Sequence, residues 1–288
     1  MEETLGVVVR DFTGGAGRII DNEVKQLNSQ DFLKKSKVVV GLLKSELINV
    51  IVIASNRDKE SKFGEASDNN GHTPTWRAYV QHYPELTEAG KLVPVFVDTW
   101  GSNAGSGRAV QAGIDYVLKE TNLPYAMAWS PELAITPARL AKAVGFLEHY
   151  GLDGIGFLRE HFFTRPQWML PQHTGLVASR SCWELATIPK YADGDEGLTI
   201  ETTVGPAKVA GMDDMARLLL AWKQKPDLRI GMYGWNDPIT WDIDPNDTRQ
   251  AEKIARQWEV VNQWTLRTFP DASSEATLAR IMSSLKMF

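Results

Sequence analysis

The chain has a single cysteine, Cys182, so it forms no internal disulfide and offers no set of thiolates for a metal. Its five histidines are scattered, none at metal-ligand spacing, and no Ser/His/Asp set can be assembled from the sequence. An excess of basic residues is also missing. A formal net charge of −5 over 288 residues excludes a nucleic-acid binder that works by bulk electrostatics. No apolar stretch approaches the roughly 20 residues of a membrane span. The opening "MEETLGVVVRDF" lacks the basic region of a signal peptide, so the expected address is cytoplasmic. Repeats, low-complexity tracts and an evident linker are lacking too. With 43% hydrophobic and 23% charged residues, the composition is that of a globular protein long enough to bury a substantial core.

What is present alternates in kind. Short apolar, β-branched runs read as buried strands: "LGVVV" (5–9), "NVIVIAS" (49–55), "LVPVFVD" (92–98), "YAMAW" (125–129), "GIGFLRE" (154–160) and "HTGLVAS" (173–179). Between them lie helical segments. "GSGRAVQAGIDYVLKE" (105–120) has Val110, Ile114, Val117 and Leu118 at helical spacing. "TPARLAKAVGFLEHYG" has Thr136 as N-cap and Pro137 at the first helical position. "GMDDMARLLLAWK" (211–223) opens on an acidic turn, and 247–269 reads as a long amphipathic helix. The polar segment 56–75 reads as a long exposed loop. Strands alternating with helices predict an α/β fold with a mainly parallel sheet. The expected organisation is one large domain over 1–245 and a helical extension over 246–288 packed on it.

In such folds ligands bind at the carboxyl ends of the strands. The residues to inspect are therefore Asp11–Gly17, Ser55–Asp58, Asp98–Gly107 and Ser130–Leu133. A Walker-type phosphate loop needs Lys-Ser/Thr after its last glycine, but Gly107 is followed by Arg108-Ala109. The dinucleotide fingerprint fails as well, because Val110 and Ile20 stand where its third glycine or alanine belongs. "SNR" (55–57) after the second strand could hold a 2′-phosphate, which keeps an NADP-dependent oxidoreductase open as an alternative.

The order of motifs along residues 5–225 resembles the GT-A fold glycosyltransferases, in particular the large inverting family that uses nucleotide-diphosphate sugars. Asn103, Gly105, Ser106, Gly107, Ala109, Gly113 and Ile114 match that family's loop of small residues and the helix that follows. "WSPELAITP" stands in the place of its Asp-x-Asp strand end, and "GMDDMARLLLAW" is similar to its helix opened by an acidic pair. Two departures are plain. Ser130 and Glu132 occupy the two aspartate positions, and Val110-Gln111 stand where an Arg-Asn pair is usual.

The resemblance implies a GT-A-like three-layer sandwich and a role for each matched position. A divalent metal, Mn²⁺ or Mg²⁺, would neutralise the diphosphate leaving group, with Glu132 as the one carboxylate ligand left in the motif. Asp214 would be the base that deprotonates the acceptor hydroxyl, with Asp213 its neighbour. Acidic residues in a first helical turn also favour the helix dipole with no catalytic role. Asp11, Asn56 and Asp58 would line the nucleotide. Asn103 belongs to the same donor site, where Gly105 and Gly107 let the backbone approach the donor closely.

His173, Trp235, Asp237 and Trp241 offer sugar-stacking faces and hydroxyl-binding groups for an acceptor subsite. A loop pinned by buried tryptophans reads equally well. Ile254, Trp258, Val261 and Thr265 line one helix face suited to core packing or to a contact between copies in a homo-oligomer. A sugar- or nucleotide-binding relative without catalysis is the other reading of the altered Ser130–Glu132 triplet.

Overall fold

The computed structural model describes residues 3–10, 18–20, 23–25, 29–57, 65, 67–98, 105–131, 133–158, 175–186, 199–202, 205–208, 213–234 and 284–288. The expected helix 247–269, with its face of Ile254, Trp258, Val261 and Thr265, and the expected boundary at 245/246 lie outside these residues. The chain divides into two compact units, Met1–Pro131 with Thr136–Ala141, and Glu132–Ile135 with Lys142–Phe288.

The first unit is built on four parallel strands. In sequence they are β1 (Leu5–Arg10), β4 (Ile48–Arg57), β5 (Leu92–Asp98) and β6 (Tyr125–Trp129), and in space the order is β6-β1-β4-β5. A small antiparallel hairpin, β2 (Arg18–Ile20) with β3 (Glu23–Lys25), follows β1. Helix α1 (Ser29–Gly41) leads into β4, and α2 (Pro74–His82) and α3 (Pro84–Glu88) connect β4 to β5. Helix α4 (Gly105–Glu120) crosses back from β5 to β6.

Chain direction across the strands reverses at β1. The first two crossovers move outward to β4 and β5, and the third returns past both to the far side of β1. Crossovers between parallel strands are right-handed, so this reversal puts α4 on the opposite face from α1 and α2. Both faces are covered, which is why "GVVV" and "VIVIA" read as unbroken apolar runs. Leu5, Val7, Val8 and Val9, like Ile51, Val52 and Ile53, are fully buried.

The approach of α4 to the strands depends on two glycines. A Cβ on Gly113 would stand 2.3 Å from Val8 Cγ1, and one on Gly6 would stand 2.7 Å from Val117 Cγ1. Helix and strand meet at a distance that no larger residue permits at either point. Gly113, matched above to a family motif, therefore has a packing role here. Val110, Ile114 and Val117 are buried as the helical spacing implies, and Leu118 is half-buried.

On the other face, Phe32 of α1 meets the edge of Tyr79 of α2 with ring centroids 5.1 Å apart, and Ser36 Oγ lies 3.0 Å from the Tyr83 hydroxyl. Of the segment expected to be an exposed loop over 56–75, residues 56–57, 65 and 67–75 are described, and both of its ends belong to regular elements. β4 runs on to Arg57, and Thr73 caps α2 by accepting a hydrogen bond from the Trp76 amide at 3.3 Å. Asp68 accepts from the His72 and Asn70 amides, the first the larger effect, and these bonds lower its pKa.

The second unit holds β7 (Gly154–Phe157) between an antiparallel partner, β8 (Leu176–Ser179), and a parallel one, β11 (Ile230–Tyr233). The C-terminal β12 (Lys286–Met287) pairs parallel with β11. Helix α5 (Pro137–Tyr150), whose first residues belong to the first unit and whose remainder belongs to the second, starts as the sequence implies, with Thr136 Oγ1 accepting from the Arg139 amide at 3.3 Å. Helices α6 (Arg180–Leu185) and α7 (Asp213–Gln224) and a hairpin of β9 (Thr199–Thr202) with β10 (Gly205–Lys208) complete the described elements. Asp153 ties this unit together by accepting from Lys225 Nζ at 2.7 Å and from the Arg229 amide at 2.8 Å. The hydrogen bond to Asp153 raises the pKa of Lys225.

Among the described residues, no helix is long and apolar enough to cross a membrane. The α/β class with mainly parallel pairing is what the structure has.

Two outcomes follow from this packing. Gly113→Val should lower stability by about 1–3 kcal/mol, the usual cost of overpacking, and adding Val8→Ala should recover part of the loss in thermal melts. Burial pushes the Cys182 thiol up to about 12, with the charge of Asp153 adding to the shift. The folded protein should therefore resist a thiol reagent at pH 8, and the unfolded protein should react fully.

Candidate functional site

Parallel strands end at one edge, and in the first unit that edge gathers the polar residues. The strand reversal makes the gap between the ends of β1 and β6 a topological switch point, the place where open parallel sheets form a crevice. Val9 pairs with Trp129 there, and the half-buried Ser130 follows. Helix α4 begins at the same edge with Gly105 and the buried Gly107, so its first turn of N–H groups and its positive dipole end lie there.

β4 contributes Asn56 and Arg57 on opposite faces. Ala54 sits 3.4 Å from the position of a Cβ on Gly113, so alternation puts Asn56 on the face that α4 covers. Asn56 is only 3% exposed, and its carbonyl accepts from the Glu65 amide at 2.9 Å. Glu65 is itself buried and accepts hydrogen bonds from the amide and the hydroxyl of Thr75, in the first turn of α2. An anion at that position favours the helix dipole.

Arg57 and Asp98 end neighbouring strands in register and form a two-pronged ion pair, Nε to Oδ1 at 2.9 Å and Nη2 to Oδ2 at 3.0 Å. Nη1 donates to the Gly71 carbonyl at 2.8 Å, and the guanidinium lies 5.1 Å from the centroid of Phe96. This clamp bears on the oxidoreductase alternative. The cation on which 2′-phosphate recognition by "SNR" would rest is already held by a carboxylate, a carbonyl and a ring, so the structure gives the oxidoreductase alternative no support. The pair was readable in principle, because both residues are polar ends of adjacent apolar strands; the missing step was the strand order.

Of the sequence-predicted site residues, the structure brings Asn56, Gly105 and Gly107 to this edge. Asp213 and Asp214 are the first two residues of α7 in the second unit. Asp11, Asp58, Asn103, Glu132, His173, Trp235, Asp237 and Trp241 lie outside the described residues.

One further feature of α7 escaped the sequence analysis. Arg217 is fully buried, with its guanidinium 5.8 Å from the centroid of the buried Trp183 on α6. An arginine in an otherwise apolar pattern signals such a position only once the helix face is known.

The implied metal can be tested against the described residues. Ser130 brings a hydroxyl and no carboxylate to the end of β6. Among the described residues, no group of three His, Cys, Asp or Glu is placed to hold a metal ion. These residues do not by themselves make a cation site.

No family model and no curated protein matches the chain. Solved structures do. The S. aureus protein TarS aligns with a TM-score of 0.47 and 10% identity, over 94% of this chain and 44% of TarS, so this chain spans less than half of that relative. TarS 1–349 in complex with UDP-GlcNAc aligns with a TM-score of 0.48 and 10% identity, over 86% of this chain and 61% of that one. Glucosyl-3-phosphoglycerate synthase from Mycobacterium tuberculosis, in complex with Mg²⁺ and UDP, aligns with a TM-score of 0.48 and 13% identity, over 92% and 79%.

Replacing Arg57 by lysine should cost about 1–2 kcal/mol in urea unfolding, because lysine cannot make the planar two-pronged contact. The low end is expected, since Asp98 is 37% exposed in the pair.

Proposed function

We propose that the chain is a glycosyltransferase that moves a sugar from a nucleotide-diphosphate donor to an acceptor hydroxyl, with inversion. The observation that carries the reading is the switch point of the first unit. There the strand order reverses, and a 16-residue helix opens on glycine at the edge where a diphosphate would lie.

In this reading Gly105 and Gly107 admit the diphosphate to the backbone amides of α4. Asn56, Asp11 and Asp58 line the nucleoside, and Asn103 stands beside the diphosphate. The amides and the helix dipole stabilise negative charge as the leaving group departs. Asp214 takes the proton of the acceptor hydroxyl as that oxygen attacks the anomeric carbon from the side opposite the leaving group. Asp213 stands beside it. His173, Trp235, Asp237 and Trp241 serve the acceptor. These roles are carried over from the sequence resemblance.

The altered triplet Ser130-Pro131-Glu132 favours a second reading, a donor-binding protein without turnover. Glu132 is the only residue of the three that could offer a metal a hard anionic oxygen, and a bound metal would supply charge neutralisation at the diphosphate.

Calorimetric titration with UDP- and GDP-sugars, with and without Mn²⁺, separates the readings when combined with an acceptor screen. Binding with turnover, and a drop in turnover of about 10²–10⁴-fold in Asp214→Asn with donor affinity kept, supports the transferase. Binding with no turnover on any acceptor supports the second reading. Loss of metal-dependent binding in Glu132→Ala would assign that residue to the metal. Absence of binding to any nucleotide sugar would overturn both readings.

A further inference from the structure

A groove in the second unit has no part in the reading above. Lys142, Gly145, Phe146 and His149 of α5, Tyr233 at the end of β11, and Phe288 line a cavity of about 600 Å³. The α5 residues fall at i, i+3, i+4 and i+7, a single stripe of the helix. Phe146 stacks on Phe288 with centroids 4.8 Å apart and 19° between planes, and Tyr233 lies 5.9 Å from Phe146. Tyr150 closes one end, its ring face covered by the Lys286 ammonium at 3.5 Å.

Gly145 is the informative residue. Glycine within a helix loses more backbone entropy on folding than alanine does, so it persists where something requires it. Neither usual structural reason applies here. A Cβ on Gly145 would meet nothing within 4 Å, and its φ is not positive. Among the described residues nothing packs where its Cβ would be, and the space it leaves is the floor of the groove. Lys142 and His149 flank that floor, and among the described residues none that lines it is acidic. In a chain of net charge −5, an acid-free groove with basic groups on its rim selects for negative charge.

An apolar wall of rings with hydrogen-bond donors at its margin suits a sugar ring, whose CH face stacks on aromatics while its substituents meet the donors. We propose that this groove binds a pyranose ring bearing a carboxylate or phosphate, seated over Gly145 against Phe146 and Phe288 with its anionic group toward Lys142. The groove shares no residue with the acceptor subsite proposed above, and its binding does not rest on the transferase reading.

The test is titration of the full chain, followed by NMR or calorimetry, with a hyaluronan hexasaccharide (carboxylate), glucose 6-phosphate (phosphate) and maltohexaose (neutral). At least one anionic probe should bind at least tenfold more tightly than maltohexaose. Gly145→Leu should abolish that binding without lowering Tm, because leucine is the better helix former and fills the floor. Lys142→Gln should weaken it about tenfold. The proposal is overturned if neither anionic probe binds, if the neutral probe binds as well, or if Gly145→Leu leaves affinity unchanged. Nucleotide-sugar binding by Gly145→Leu, measured alongside, is expected to match that of the parent. Its absence from both proteins would sink the transferase reading while leaving the groove standing.

Discussion

The fold of the first unit depends on the closeness of α4 to β1. Val8 on the strand and Val117 on the helix each reach into space that the other element leaves by carrying glycine, at Gly113 and Gly6. That contact fixes the helix over the strand next to the switch point. It thereby fixes where the helix starts, and the site depends on that start. Phosphate recognition by a helix N-terminus requires the amides of the first turn to face the crevice, and a helix held farther from the sheet would direct them elsewhere. A packing constraint in the middle of α4 thus has its functional consequence at the helix's first turn.

The same edge shows how charges are placed. Arg57 and Asp98 saturate one another on one face of the strand ends, with Phe96 beneath the guanidinium. The other face carries the buried Asn56 and the start of α4. A clamp on one face and a crevice on the other follow directly from strand alternation at β4. The second unit is organised differently, around Asp153, which joins a lysine, a backbone amide and the turn into β7.

Much of this was legible in the sequence where periodicity and burial coincide. β5, α4 and β6 occupy the residues that their apolar patterns mark, and Thr136-Pro137 opens α5 as helix-capping chemistry requires. The misses have physical reasons. The loop expected over 56–75 takes in the Thr73 cap and the Pro74–Thr75 start of α2, because a polar lead-in hides them, and only the buried Trp76 and Tyr79 mark the helix face. The β2–β3 and β9–β10 hairpins have strands of only three or four residues, too short for alternation to stand out. The Arg57–Asp98 pair is 41 residues apart in sequence, so only the strand order reveals it. Of the candidate site, the part proposed to hold a donor was partly visible, since post-strand polar residues and a glycine-opened helix carry their own chemistry. Asp213 and Asp214 open a helix, as many structural acids do, and nothing local separates a base from a dipole partner there.

The central claim is that a nucleoside diphosphate binds where β4 ends and α4 begins. Amide hydrogen exchange with and without saturating UDP or GDP tests it most directly. Slowed exchange at Gly105–Arg108 and at Asn56–Arg57, with the middle of α4 unchanged, is the expected result. Protection confined to the second unit, or none with either nucleotide, would contradict the account.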